Sequence, residues 1–362
     1  MIAYNKTWLA NLRLQRAVQS NVEQGNISAA EFKAIAEKYP VGFYTPNIFV
    51  RVGLFILTCI IVLFADGLLS LMALSGNIAD TGGWAIFLGL LSYGALELMI
   101  NAKFHYRSGV DDALLFTAGC TLIGGFAMLL YKNSETSDFL ALAILVFLLT
   151  LYFTIRFADV LAVAVCYGSF LWTMFLCWNR VAGVATAPFV MMLASGATYW
   201  AARRYSDKKE AINYAICFGV VQILSLVALY AAGNYYVIAT LSIEMMHQTG
   251  PVAFGSFFWM WTILMPFVYI GFGIKQKNAM PLRTGLLLVT VAVLTFRNYY
   301  HLLPVDVMLT IAGVVLLAIV YTIMRYLKTP KHGFTCAEPD KVNALDHLKI
   351  ESLIVAETFA HA

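Results

Sequence analysis

Ten long apolar stretches lie between about Ile48 and Leu327, and the lysines and arginines fall almost wholly in every second gap between them. No water-soluble fold buries so many runs of roughly 18 or more apolar residues, each long enough to cross a hydrocarbon core about 30 Å thick. The chain therefore reads as an all-α, polytopic transmembrane bundle. Spans are expected near 48–74, 83–101, 110–131, 138–155, 157–178, 183–202, 211–232, 255–274, 282–300 and 305–327. Composition agrees, because 61% of the 362 residues are hydrophobic and only 12% are charged, half the usual share of a soluble domain.

With the N-terminus inside, 21 of the 24 Lys and Arg residues occupy inside segments, and only Lys132, Arg180 and Arg297 lie outside. The positive-inside rule then puts both termini in the cytoplasm, and one span more or fewer would scramble the alternation downstream. The net charge of +4 sits beside helix ends and not along a groove-like run, which excludes nucleic acid as the natural partner. The lipid bilayer is the partner the sequence demands. The first apolar run begins too late for a signal-peptide core, so the first span is expected to insert the chain.

Residues 1–46 form a separate unit. Lys6–Gln24 has helical spacing through Trp8, Leu12, Val18 and Val22, and Gly25 offers a left-handed residue to end that helix. Ser28-Ala29-Ala30-Glu31 is a capping box, with Ile27 and Phe32 placed as a hydrophobic staple. A second helix should run to Tyr39 and stop at Pro40. The expectation is a cytosolic helical hairpin, serving as a lid on the 47–328 bundle or as a site for a protein partner. Residues 329–362 make a polar tail in which Asp340 can cap an amphipathic helix with Leu345, Leu348, Leu353 and Phe359 on its apolar face.

Charge inside hydrocarbon costs at least a few kcal/mol unless paired or hydrated. Asp111, Asp112, Asp138, Asp159 and Asp306 open their spans, where free N–H groups and the helix dipole favour a carboxylate. Asp66 and Glu97 are not at helix starts. Asp66 reads equally as a hydrogen-bonded structural acid or a functional carboxylate, and Glu97 has Lys103 or Arg107 as nearby counter-ions. Arg297 and Arg51 are expected to snorkel at span ends, with a pairing of Arg297 to Asp66 or Asp306 as the sharper alternative. Pro188 and Pro266 fall within spans six and eight, where each frees a carbonyl and kinks are expected.

Tyr235–Met246 reads as an interfacial or re-entrant helix. Glu244 and His247 beyond it have metal-sharing spacing, but one such pair is too few donors for a site. The six cysteines include no CxxC pair, and no GxSxG, HExxH, Walker or GxGxxG signature occurs, so neither a catalytic residue nor a metal or cofactor is assigned. An enzyme is the weakest of the functional readings.

The turn Gly25-Asn26-Ile27-Ser28, Glu97 at the end of span two and Ser108-Gly109-Val110-Asp111-Asp112-Ala113-Leu114 opening span three together resemble bacterial multi-pass membrane proteins of unknown function with a short N-terminal soluble helical segment. The resemblance implies a bacterial inner membrane and no catalytic residue. Two functions follow from the sequence. A small-solute or ion transporter would gather Asp66, Glu97 and Arg297 around one hydrated cavity broken open near Pro188 or Pro266, whereas a non-transporting scaffold or sensor would act through its hairpin and tail. Oligomeric state is left open.

Overall fold

The computed structural model describes residues 2–23, 25–73, 81–132, 139–206, 208–246, 253–276 and 278–299, with scattered residues from 310 to 326. Twelve α-helices are described there: α1 (Lys6–Glu23), α2 (Ala29–Lys38), α3 (Ile48–Ala73), α4 (Gly82–Lys103), α5 (Val110–Lys132), α6 (Phe139–Phe157), α7 (Val160–Ala182), α8 (Ala187–Ser206), α9 (Ala215–Gly233), α10 (Tyr235–Met246), α11 (Gly255–Lys275) and α12 (Ala279–Tyr299). Short 3-10 turns at Val184–Thr186 and Lys209–Tyr214 lead into α8 and α9. No strand occurs among the described residues, where Tyr44 and His105 form one isolated bridge.

Eight described helices are long and apolar enough to cross a membrane: α3 to α7, α9 with the turn before it, α11 and α12. The sixth expected span exists as the 20-residue α8, which is not among those eight and ends in Arg203 and Arg204. It nevertheless lies along α9 and is tied to α7 by the Tyr167 hydroxyl, 3.3 Å from Ser195 Oγ. Only scattered helical residues of the tenth expected span are described, and the tail helix, Asp138, Asp306, His247, His301 and Cys336 lie outside the described residues.

The most extensive packing joins consecutive helices, α4 with α5, α6 with α7, α8 with α9 and α11 with α12. Lipid tails are as apolar as leucine, so such pairs are held by close van der Waals contact where small residues let backbones meet. In α4 and α5 a Cβ on Gly82 would strike the Gly125 carbonyl, and one on Gly125 the Gly82 carbonyl. Around that contact α5 is the inner helix of its half, with Ala113 and Ala118 wholly buried and Leu114 and Leu122 nearly so. By contrast, α3 buries no residue and packs chiefly against α5. Gly109 makes that approach possible: its φ of +94° is left-handed, and a Cβ there would collide with the Arg51 carbonyl.

The N-terminal helices form as the spacing predicts. Gly25 has a φ of +78°, and the Ser28–Glu31 capping box closes from both sides. Asn11 and Gln15 of α1 donate to the Pro40 and Tyr39 carbonyls at 2.9 and 2.7 Å, which ties the two helices together. Tyr4 and Leu9 then join one apolar core with Leu96, Ile100, Leu114 and Phe157 of the bundle. Trp8 meets Phe43 and Phe104 edge-on, and the Ala3 N–H donates to the Arg156 carbonyl at 2.8 Å. The hairpin is therefore built into the end of the bundle where α3, α5 and α7 begin.

Pro188 and Pro266 behave differently. Pro188 is the second residue of α8, where its missing N–H has no helix partner to lose, so the expected kink in mid-span gives way to a 3-10 turn followed by a proline-started helix. Pro266 is inside α11 and does deprive the Thr262 carbonyl of its usual donor. The Tyr230 hydroxyl supplies a replacement at 3.3 Å.

Candidate functional site

At the hairpin end, Arg51 reaches from the first turn of α3 to Asp112 on α5, with Nε and Nη2 at 2.9 and 2.7 Å from Oδ2. The side chains are 35% and 20% exposed, so the pair sits at an interface and is not sealed in the core. Arg51 thus pairs where snorkelling was expected, and Asp112 serves as its counter-ion where capping was expected. Capping falls to the neighbouring Asp111, which accepts from the Ser108 N–H and hydroxyl at 2.8 and 2.9 Å and from the Arg107 N–H at 2.7 Å. Asp159 caps α7 through the Ala162 N–H at 2.9 Å.

The loop bearing Arg107 is held under constraint. Phe104, Arg107 and Ala158 all have left-handed φ values near 50°, a conformation that costs a side-chain-bearing residue energy and persists where surrounding contacts impose it. Asp111 fixes the Arg107 backbone, leaving the guanidinium over the Tyr106 ring at 5.6 Å. Above Asp111, the Tyr4 hydroxyl stands 3.5 Å from Oδ2, at the limit of a hydrogen bond. Burial, and next the charge of Asp111, pushes the Tyr4 hydroxyl well above its usual range, so it remains a proton donor.

These groups stand at the polar end of a cavity of about 480 Å³ between α3, α5, α6 and α7. That size is typical of small-molecule sites, roughly 300 to 1,000 Å³. Its polar end holds Arg51, Arg107, Asp112 and Asp159, and its interior is lined by Val52, Phe55, Phe116, Gly119, Ile123 and Val165. Val52, Phe116 and Leu161 are 51%, 50% and 60% exposed, so the cavity opens sideways between α3 and α7. From Asp112 to Ile123 the helical rise gives a depth of about 17 Å, near one leaflet of a hydrocarbon core. A smaller space of about 220 Å³ adjoins the polar end, lined by Arg16 of α1, Thr45, Pro46, Ile48, Arg51 and Arg107. Chemically the arrangement offers guanidinium donors at one end and a dry wall along the rest.

Glu97 belongs to a second charged group at the same end. Arg156 on α6 meets it with both Nε and Nη2 at 3.0 Å, in place of the expected Lys103 or Arg107. Tyr93 donates to Glu97 at 2.8 Å and lies 2.6 Å from the Tyr152 hydroxyl. Asp66 is elsewhere, some 18 residues or about 27 Å along α3 from its start, half-buried and without a hydrogen bond or ion pair among the described residues. Arg297 lies near the far end of α12 beside an aromatic group that includes Tyr235, Trp259 and Tyr299. Asp66, Glu97 and Arg297 are therefore on separate helices and are not brought to one cavity.

The other half of the bundle has a polar core that the sequence reading missed. Asn234, between α9 and α10, donates to the Tyr230 hydroxyl at 3.2 Å and to Thr295 at 3.1 Å, while the Tyr235 N–H donates to Thr262 Oγ1 at 3.0 Å. All four side chains, Tyr230, Asn234, Thr262 and Thr295, are buried. They fix the short α10 against α9, α11 and α12, and α10 spans the Tyr235–Met246 segment expected to be helical. A cavity of about 350 Å³ beside α10 includes Pro188 in its wall but offers little beyond apolar side chains and two serines. It lacks the chemistry of the Arg51 site. No metal-holding group of three or more His, Cys, Asp or Glu side chains is present among the described residues. Compared with known proteins, the chain matches no family model, no curated protein and no solved structure.

Proposed function

We propose that this chain is a membrane-embedded receptor for an amphiphile, the sensor form of the non-transporting reading. Its lateral cavity takes the apolar part of the ligand, and its N-terminal hairpin responds to occupancy. The observation that carries this reading is the cavity itself, apolar over a leaflet's depth and charged at one end, with Arg16 of the hairpin contributing to the adjoining mouth. Dispersion of Asp66, Glu97 and Arg297 also argues against a single coupling centre. The basic-residue bias supports ten spans, a cytoplasmic hairpin and both termini inside a bacterial inner membrane.

One observation favours the transporter as a second reading: Asp66 lies half-buried in an apolar helix with no described partner. The two readings separate in proteoliposomes holding the full chain. For a sensor, an added acyl amphiphile changes the rate of proteolysis around Gly25, and a trapped pH dye reports no protein-dependent proton flux. A proton flux that Asp66→Asn abolishes, with hairpin cleavage insensitive to the amphiphile, would overturn the sensor reading.

A further inference from the structure

We infer that the mouth at the polar end of this cavity recognises a lipid headgroup that ends in a phosphate monoester, an inference that rests on the amphiphile reading above. Three guanidinium-bearing residues, Arg16, Arg51 and Arg107, line the mouth together, and no carboxylate lines it with them. The nearby acids each have partners: Asp111 accepts from the Arg107 N–H and from the Ser108 N–H and hydroxyl, Asp159 accepts from the Ala162 N–H at the start of α7, and Asp112 pairs with Arg51. Both described bonds from Arg51 end on the same oxygen of Asp112 and come from Nε and Nη2, so Nη1 is not used in that pair. The lining of the mouth itself thus holds three guanidinium groups and no carboxylate, with Asp112 and Asp159 in the polar end beside it.

The choice of phosphate follows from counting acceptors. A carboxylate offers two oxygens and one charge, enough for one guanidinium fork. A phosphate monoester offers three terminal oxygens and up to about two charges, where a diester has only two oxygens and one charge, and so can bridge guanidinium groups arriving from α3, the 104–109 loop and α1. Free phosphate has the same headgroup chemistry but leaves the apolar wall from Val52 to Ile123 without a function. A phosphate joined to an acyl chain uses both ends. Arg16 belongs to the hairpin, so a bridging phosphate would also clamp α1 to the bundle, which gives the sensor its coupling.

The test uses the purified full-length protein in detergent, with a fluorescent fatty-acyl probe displaced by four competitors: a diacylglycerol phosphate monoester as the anionic phospholipid, a phosphocholine lipid of the same chains, a fatty acid and inorganic phosphate. The anionic phospholipid should compete at least about tenfold better than the phosphocholine lipid, the size of one charge-assisted hydrogen bond. Arg107→Gln and, independently, the exposed Arg16→Gln should each shrink that advantage several-fold while weakening the phosphocholine lipid far less. Arg16 lies on the hairpin surface, so its variant keeps the test valid if Arg107→Gln does not fold. Equal competition by anionic and phosphocholine lipids would overturn the headgroup inference and leave the amphiphile reading standing. Displacement by inorganic phosphate as effective as by the anionic lipid would also overturn it, in favour of a free-phosphate site. Failure of every amphiphile, probe included, to bind saturably would remove the amphiphile reading itself.

Discussion

Arg51 and Asp112 are 61 residues apart in the chain, yet the Arg51 guanidinium places two nitrogens within 3 Å of one Asp112 oxygen and so joins α3 to α5. α3 buries no residue of its own, and this pair and the close approach at Gly109 attach its first turns, with the Phe55–Phe116 ring contact and the Trp84–Ser70 hydrogen bond further along. Arg51→Met should destabilise the protein by about 1–2 kcal/mol, between the small worth of an exposed pair and the larger cost of stranding a buried charge. Thermal unfolding in detergent measures it. Arg51→Met combined with Asp112→Leu should recover part of the loss, since no charge is then left unpaired. A double variant as unstable as the sum of the two single changes would show that the pair contributes nothing as a pair.

A second coupling is predicted between Tyr230 and Pro266. The Tyr230 hydroxyl serves the Thr262 carbonyl that Pro266 leaves without its helical donor. Tyr230→Phe should therefore cost about 1–2 kcal/mol, the usual loss for an unsatisfied buried acceptor. In a Pro266→Ala background the helix regains its own N–H, and the same substitution should cost markedly less. Equal costs in both backgrounds would mean that the hydroxyl does not substitute for the lost helix bond.

Much of the bundle was legible because span length and basic-residue alternation are imposed by the bilayer itself. The Ser28–Glu31 box was legible because its two hydrogen bonds are local. The Arg51–Asp112 and Glu97–Arg156 pairs were not, although span parity held a clue. Spans one and three start on the same side, which levels Arg51 with Asp112, and spans two and four end there, which levels Glu97 with Arg156. Level is not adjacency. Which helices are neighbours depends on contacts such as Gly82 against Gly125, and apolar periodicity is nearly blank when both lipid and core are apolar. The Asn234 network was missed for another reason, because each of its members is an ordinary polar residue until the α9–α10 bend, α11 and α12 converge on it.

The hairpin should open with acid. Glu31 accepts from the Ser28 N–H at 2.7 Å, and that bond, followed by the one with the Ser28 side chain, holds its carboxyl below the usual range. A carboxyl lowered in the folded state stabilises it above the unfolded pKa, about 4.3, and loses that contribution as pH falls through the lower folded value. Proteolysis around Gly25 by an acid-active protease should accelerate as pH is lowered from about 5 to 3, and Glu31→Gln should blunt that response. At neutral pH, Ser28→Ala should destabilise the hairpin by on the order of 1 kcal/mol. Cleavage unchanged by pH and by both substitutions would mean that other contacts hold the hairpin.

Topology is tested with single cysteines in a background lacking the native ones. Positions Asn77, Asn133 and Thr249 should react with an impermeant reagent from outside, and Ser206 and Asn278 only from inside. The decisive site is Ser206 at the end of α8. Labelling of Ser206 from outside would mean that α8 does not cross, and the second half of the bundle would then be inverted relative to the ten-span reading.

On the proposed reading one lateral cavity, and not the apolar surface at large, holds an amphiphile. The most direct measurement is photolabelling of the full-length protein in bilayers by a lipid carrying a diazirine in its acyl chain, with the modified residues mapped by mass spectrometry. Labelling should concentrate on Phe55, Phe116 and Leu161 and be lost in Gly119→Leu, which fills the cavity where the glycine leaves room beside Phe153. Labelling spread over the bundle in proportion to exposure, reaching Phe64 and Met72 on the outer face of α3 as strongly as the cavity and unaffected by Gly119→Leu, would contradict it.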